Sequence, residues 1–171
     1  MLEGKTLKKK PKRKRKQLLT RKEKKKLGFY NIPRNSIKYK DIVAMHQIWT
    51  GYMKELLELN KPGEVQTEIV KKNWDNFTQS VYRADFHGSL LHVVRSKCPS
   101  YVGKMGICIM DTKNTFKIVS KENLITTIPK KESVFEMYVD NLKFMLFGRH
   151  LCVRPAERST KKVKGHFFPD L

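Results

Sequence analysis

Asp85 and His87 stand two residues apart in the run Ala84-Asp85-Phe86-His87-Gly88. In an extended segment that spacing puts both side chains on one face, so the pair is the chain's nearest approach to a general acid and base. The rest of a hydrolytic site is missing from the sequence. No second carboxylate cluster stands ready to hold metal ions, no H-x-x-x-H spacing occurs, no glycine-rich phosphate loop precedes a helix, and His46, His92, His150 and His166 are scattered. The pair is therefore read as turn chemistry, with Asp85 satisfying a bend and His87 a structural hydrogen bond. No residue is assigned to catalysis or to a metal. Cys98, Cys108 and Cys152 are odd in number and form no C-x-x-C pair, which fits neither a disulfide framework nor a zinc knuckle. They read as free, mostly buried thiols that pack as small hydrophobes, Cys108 and Cys152 within strands and Cys98 in a loop.

The chemistry this composition favours is phosphate binding. Lys and Arg number 37 against 16 Asp and Glu, a formal net charge of +21, and such a chain seeks polyanions. The charge is concentrated in residues 1–26, which hold fourteen Lys or Arg against Glu3 and Glu23. With like charges in mutual repulsion and little apolar surface to offset chain entropy, this arm is expected to be disordered in the free protein. Its basic residues, Lys8, Lys9, Lys10, Lys12, Arg13, Lys14, Arg15, Lys16, Arg21, Lys22, Lys24, Lys25 and Lys26, read as a nuclear-import address, an RNA clamp or both. Further along, Lys97, Lys104, Lys113, Lys117, Lys121, Lys130, Lys131, Arg149, Arg154 and Arg158 fall at apparent turns and strand ends. Gathered on one rim, they would bind phosphates and fix position rather than read sequence. Asn114 in the same turn as Lys113, and Lys161 and Lys162 in the tail, complete the candidate RNA-binding set. No apolar run reaches the roughly 20 residues of a membrane span, and the lysine-rich start lacks the apolar stretch of a secretory signal. A membrane partner is not expected, and an intracellular location is.

Four regions are needed to position these residues: a basic arm and tether over 1–35, a helical region over 36–80, a β-barrel over 81–158 and a basic tail over 159–171. Leu27, Phe29, Tyr30 and Ile32 are an apolar patch that would lie on the folded domain and tether the arm. From Lys40 to Asn60, Ile42, Met45, Trp49, Tyr52, Leu56 and Leu59 step by three and four, the spacing of one helical face, and Lys61-Pro62-Gly63 ends the helix. A second helix is predicted from about Val65 to Ser80. Beyond Val81 the period becomes alternating, with strands predicted at Ala84–Phe86, Ser89–Arg95, Met105–Asp111, Thr115–Ser120, Leu124–Ile128, Val134–Val139 and Leu142–Phe147. Turns fall at Asp111–Asn114 and Val139–Leu142, with a bend at Gly88. This is a mainly β chain, a small SH3- or Sm-like β-barrel preceded by one or two α-helices, and closure of the barrel would remove exposed edges.

On these residues a resemblance emerges. The motifs ADFHG, SKCPSYVG, the hairpin DTKNTFKI, the strand end Ile128-Pro129-Lys130 and the tail RPAERSTKK follow one another in an order that closely resembles the Sm-like protein subunit shared by eukaryotic ribonuclease P and RNase MRP, with counterparts in archaeal ribonuclease P. The resemblance is strong over residues 81–163 and extends more weakly to the helix carrying Trp49 and to the arm ending at Ile32.

The resemblance implies a non-catalytic role in a ribonucleoprotein whose RNA removes the 5′ leader of precursor tRNA. This chain would help fold and brace that RNA. It implies no cofactor bound by this chain, Mg2+ at the RNA active site of the particle, and partnership with ribonuclease P RNA, RNase MRP RNA, a zinc-ribbon subunit and other particle proteins. Precursor tRNA would be met indirectly. The expected location is the nucleus and nucleolus, and a member active in RNase MRP would serve pre-ribosomal RNA processing. The competing classes are a general Sm-like RNA-binding or ribosome-assembly factor and an adaptor whose main contacts are protein.

Overall fold

The computed structural model describes residues 18–33, 36–59 and 74–160, with the backbone alone at Arg21 and Trp74. Two compact units divide between Ile32 and Pro33. In the first, α1 covers Arg21–Lys26 and begins at a reciprocal capping box: the Thr20 hydroxyl accepts from the Glu23 amide while the Glu23 carboxylate accepts from the Thr20 amide. A short helix therefore stands where the sequence reading expected disorder throughout residues 1–26. The capping pair satisfies the first turn, and Lys24, Lys25 and Lys26 fall at its negative end. Residues 1–17 lie outside the described residues. Of the predicted tether, Leu27, Phe29 and Tyr30 are exposed and Ile32 is half-buried.

The second unit is mainly β. Helix α2, Tyr39–Leu56, precedes α3, Trp74–Arg83, and six strands follow: β1 Leu90–Ser96, β2 Met105–Asp111, β3 Thr115–Val119, β4 Ile125–Pro129, β5 Ser133–Val139 and β6 Leu142–Phe147. A last helix, α4, spans Pro155–Arg158. The strands form one antiparallel sheet in the order β4-β3-β2-β1-β5-β6. Leu91, Val93, Phe116, Ile118, Phe135 and Met137 are at most 1% exposed and fill the interior by alternation as expected, whereas on β2 Cys108, not Ile107 or Ile109, joins the core cluster. The sheet curls until β3 meets β5 across its interior, where the Phe116 and Phe135 rings pack edge to face at 5.2 Å and Phe86 packs on Phe116 at 5.7 Å.

The predicted closure is corrected. Among the described residues no ladder joins β4 to β6; the chain instead turns directly from β4 into β5 through Lys130–Glu132. Gly148, just after β6, sits on that turn so tightly that a Cβ would collide with the Lys130 carbonyl and come within 2.7 Å of the Ser133 carbonyl.

Two further expectations change. Ala84–Phe86 is a bend rather than a strand, because α3 runs on to Arg83 and Gly88, at φ +91°, turns the chain into β1. The predicted stripe on α2 is rotated: Ile42, Trp49, Met53 and Leu57 are buried, whereas Tyr52 and Leu56 are exposed. The helix is held along its whole length. The Asn123 side chain, from the β3–β4 turn, accepts from the Tyr39 amide at 2.7 Å, supplying from elsewhere the cap that Lys38 lacks. A His46 ring nitrogen bonds the Gly88 carbonyl at 2.8 Å, Trp49 Nε1 donates to the Asp85 carbonyl at 2.7 Å, and Lys54 pairs with Asp140 of the β5–β6 turn at 2.7 Å. The second predicted helix is described only as α3, since 65–73 lie outside the described residues.

Candidate RNA-binding surface

The β4–β5 connection organises the strongest basic cluster. The Lys130 amide donates to the Asn114 carbonyl at 2.8 Å, the Lys97 amide donates to the Glu132 carbonyl at 3.0 Å, and the turn carrying Arg149 abuts Lys130 through Gly148. Lys97, Lys113, Asn114, Lys131 and Arg149 are therefore gathered around one turn, and all five are exposed. Their exposure suits phosphates, which are reached from solvent by flexible cations. Cys152 feels Lys131 and Lys113 electrostatically, although burial is the larger influence and pushes its thiol up.

Lys130 and Arg158 are corrections to the candidate set. Both are buried, and both cations are spent on one carboxylate: Lys130 Nζ donates to Asp111 Oδ1 at 2.5 Å and Arg158 donates to Asp111 Oδ2 at 2.9 Å. Lys130 also donates to the carbonyls of Thr112 and Leu151, and Arg158 to that of Ala84. Each cation lies over an aromatic face, Lys130 on Phe116 at 4.3 Å and Arg158 on Phe86 at 4.5 Å. Burial lowers the Lys130 pKa, and the neighbouring Asp111 charge opposes that fall. Neither side chain faces solvent, so neither belongs to an RNA-facing rim.

The remaining candidates are dispersed. Lys117 is half-buried in mid-strand, opposite Thr127. Arg154 is exposed and lies 3.6 Å from Glu157. In the first unit Lys22, Lys25 and Lys26 are exposed and Lys24 is half-buried. Lys8, Lys9, Lys10, Lys12, Arg13, Lys14, Arg15, Lys16, Lys161 and Lys162 fall outside the described residues.

Lys104 lies on a separate groove of about 560 Å³, lined by Tyr39, Lys104, Met105, Ile118, Lys121 and Leu124 among others. Its ammonium stands 5.9 Å from the Tyr101 ring centre. Tyr39 and Leu124 were not candidates in the sequence; the one available signal was an exposed leucine following Glu122-Asn123 in a turn.

Catalytic chemistry gains no support from the polar residues. Asp85 Oδ1 accepts from the His87 backbone amide at 3.1 Å, the turn bond expected of it. Among the described residues no group of three or more His, Cys, Asp or Glu side chains is placed to hold a metal ion, and no helix is long and apolar enough to cross a membrane. Cys108 is buried in β2, and burial raises its pKa. Cys98 is free and exposed in its loop, and its pKa is lowered by the hydrogen bond with the Ser100 hydroxyl. Cys152 follows β6 in a turn rather than within a strand.

The described residues thus form a curled, mainly β domain that carries an exposed basic turn. The family described as Ribonuclease P/MRP, subunit p29, matches residues 79–161. The Ribonuclease P protein subunit p29 of Bos taurus is 34% identical over 96% of this chain and 71% of its own length, and that of Homo sapiens is 32% identical over the same shares. The Ribonuclease MRP protein subunit POP4 of Arabidopsis thaliana is 30% identical over 78% of this chain and 41% of its own length. A solved structure of Mth11, described as a homologue of human RNase P protein Rpp29, is 28% identical and covers 44% of this chain and 97% of its own, with a TM-score of 0.36. The chain belongs to the ribonuclease P/MRP subunit p29 family.

Proposed function

We propose that this chain is a non-catalytic, RNA-binding subunit of the ribonuclease P and RNase MRP particles. It braces the catalytic RNA for removal of the 5′ leader from precursor tRNA and, in RNase MRP, for pre-ribosomal RNA processing. The observation that carries the reading is membership of the family, with 34% identity to the bovine subunit over 96% of the chain. The basic turn formed by Lys97, Lys113, Asn114, Lys131 and Arg149 supplies a physical means: several exposed cations on a rigid sheet release counterions on meeting phosphates, roughly 0.7 to 0.9 per contact. On this reading the chain binds no cofactor, Mg2+ serves at the RNA active site, and the partners are ribonuclease P RNA, RNase MRP RNA, a zinc-ribbon subunit and further particle proteins. The compartment is the nucleus and nucleolus, with the arm at Lys8–Lys16 as import address, RNA clamp or both.

The deciding experiment is recovery of the tagged full chain from cell extract at high salt, sequencing of the RNA retained, and assay of the recovered material for 5′ cleavage of precursor tRNA. A dominant ribonuclease P or MRP RNA accompanied by cleavage is the expected result. A broad RNA mixture without cleavage would replace the reading with a general Sm-like RNA-binding or ribosome-assembly factor.

A further inference from the structure

We infer that the groove between the start of α2, the β1–β2 loop and the β3–β4 turn takes a single unpaired RNA nucleotide, its base against the apolar wall and its flanking phosphates on Lys104 and Lys121. The inference rests on the RNA-binding reading above and adds a form of RNA to it. The groove measures about 560 Å³, within the roughly 300 to 1,000 Å³ of clefts that enclose small ligands. An extruded base fits such a space, whereas a double helix can only lie across its mouth.

The lining has two characters that phosphate binding alone does not require together. Lys104 and Lys121 are exposed, and they share the lining with Tyr39, Met105 and Leu124. Met105 is 39% and Leu124 55% exposed, apolar surface left open beside two cations on a chain of net charge +21. Unpaired bases are recognised by this combination, apolar or aromatic contact for the base face and cations for the backbone. Glu122 is also in the lining. Its carboxylate can accept from the amino or imino edge of a base.

The walls are held in place. Asn123 caps the Tyr39 amide at 2.7 Å, and the Ser120 amide donates to the Leu124 carbonyl at 3.0 Å, closing the β3–β4 turn. Gly106 lets β2 approach β3 closely, since a Cβ there would collide with the Val119 carbonyl. Little ordering is therefore required when a base enters.

The test compares the full chain with its Leu124→Ser and Lys104→Ala variants, using a labelled oligouridylate on the order of ten nucleotides and a blunt RNA duplex of the same length at one fixed salt concentration. Leu124→Ser removes apolar contact without changing charge, at a site already open to solvent. The expected result is a loss of about tenfold in single-strand affinity with duplex affinity held within about threefold. Lys104→Ala should also weaken the single strand more than the duplex, and Lys131→Ala, at the basic turn, should weaken both alike. Equal losses for both probes in Leu124→Ser, or no loss for the single strand, would overturn the groove while leaving RNA binding intact. A wild-type chain with no affinity for either probe at low salt would overturn both.

Discussion

Replacing Asp111 with Asn tests the arrangement at the centre of this fold. The carboxylate is 1% exposed and faces two cations that are 0% and 1% exposed, at 2.5 Å and 2.9 Å. Even at an effective dielectric near 20, each contact is worth roughly 6 kcal/mol of gross attraction, which offsets desolvation and the repulsion between Lys130 and Arg158. Asparagine keeps the shape and one acceptor oxygen but removes the only charge joining the two. By analogy with other buried pairs left without a partner, the loss should be about 3 to 5 kcal/mol, a large part of the roughly 5 to 15 kcal/mol that holds a domain together. Lys130→Met should cost less. It leaves one cation paired with the carboxylate and removes the repulsion, and its main penalty is the stranded carbonyls of Thr112 and Leu151, about 1 to 3 kcal/mol. Urea unfolding followed by tryptophan fluorescence gives the ranking from the midpoints, provided the slope is unchanged. An Asp111→Asn variant within about 1 kcal/mol of the parent, or more stable than Lys130→Met, would refute the electrostatic account.

Three other expectations follow from position. Gly106→Val should be strongly destabilising, since even a Cβ would collide with the Val119 carbonyl, whereas Lys113→Ala, on an exposed turn, should remain within about 0.5 kcal/mol of the parent; a well-folded Gly106→Val chain would contradict the packing of β2 on β3. Deleting residues 1–26 removes fourteen cations and should both weaken RNA binding and flatten its dependence on salt, with the sheet still folded; an unchanged slope in a salt titration would show that the arm makes no phosphate contact. Acid stability should depend on Glu136. Its pKa is held down to about 2, first by the Tyr138 hydroxyl at 2.6 Å and then by Lys143. Its contribution is therefore complete above the ordinary carboxylate value of 4.5 and is lost as pH falls from there toward 2. In Glu136→Gln the stability curve should be flatter across that window; an identical slope would count against this network.

The strands were legible from alternation in β1 and β3, whose burial begins by switching residue by residue, and from turns such as the one at Asp140. Asp140 in the β5–β6 turn and Asn123 in the β3–β4 turn occupy left-handed backbone, which Asp and Asn tolerate. The family motifs lay in the same region. The α2 register was less legible, since Met45, Tyr52 and Leu56 fit a helical stripe as well as Met53 and Leu57 do, and only the sheet beneath decides which side is covered. Lys130 and Arg158 were illegible for a different reason. Basic residues at turns are ordinarily solvated, and the carboxylate that draws these two inside lies 19 and 47 positions away. Asp111 itself gave only a faint sign, a single acid closing an otherwise apolar strand.

The anchoring of Arg158 changes how truncations of the C-terminus should be interpreted. The side chain reaches from the last short helix into the interior, where it joins Asp111 to the Ala84 carbonyl ahead of the first strand. A chain shortened before position 158 loses a structural rivet along with its basic tail, so reduced RNA retention in such a fragment would report misfolding as readily as a lost contact. Cuts placed after Thr160 remove Lys161 and Lys162 while sparing the rivet, and they alone can separate what the tail binds from what it holds together.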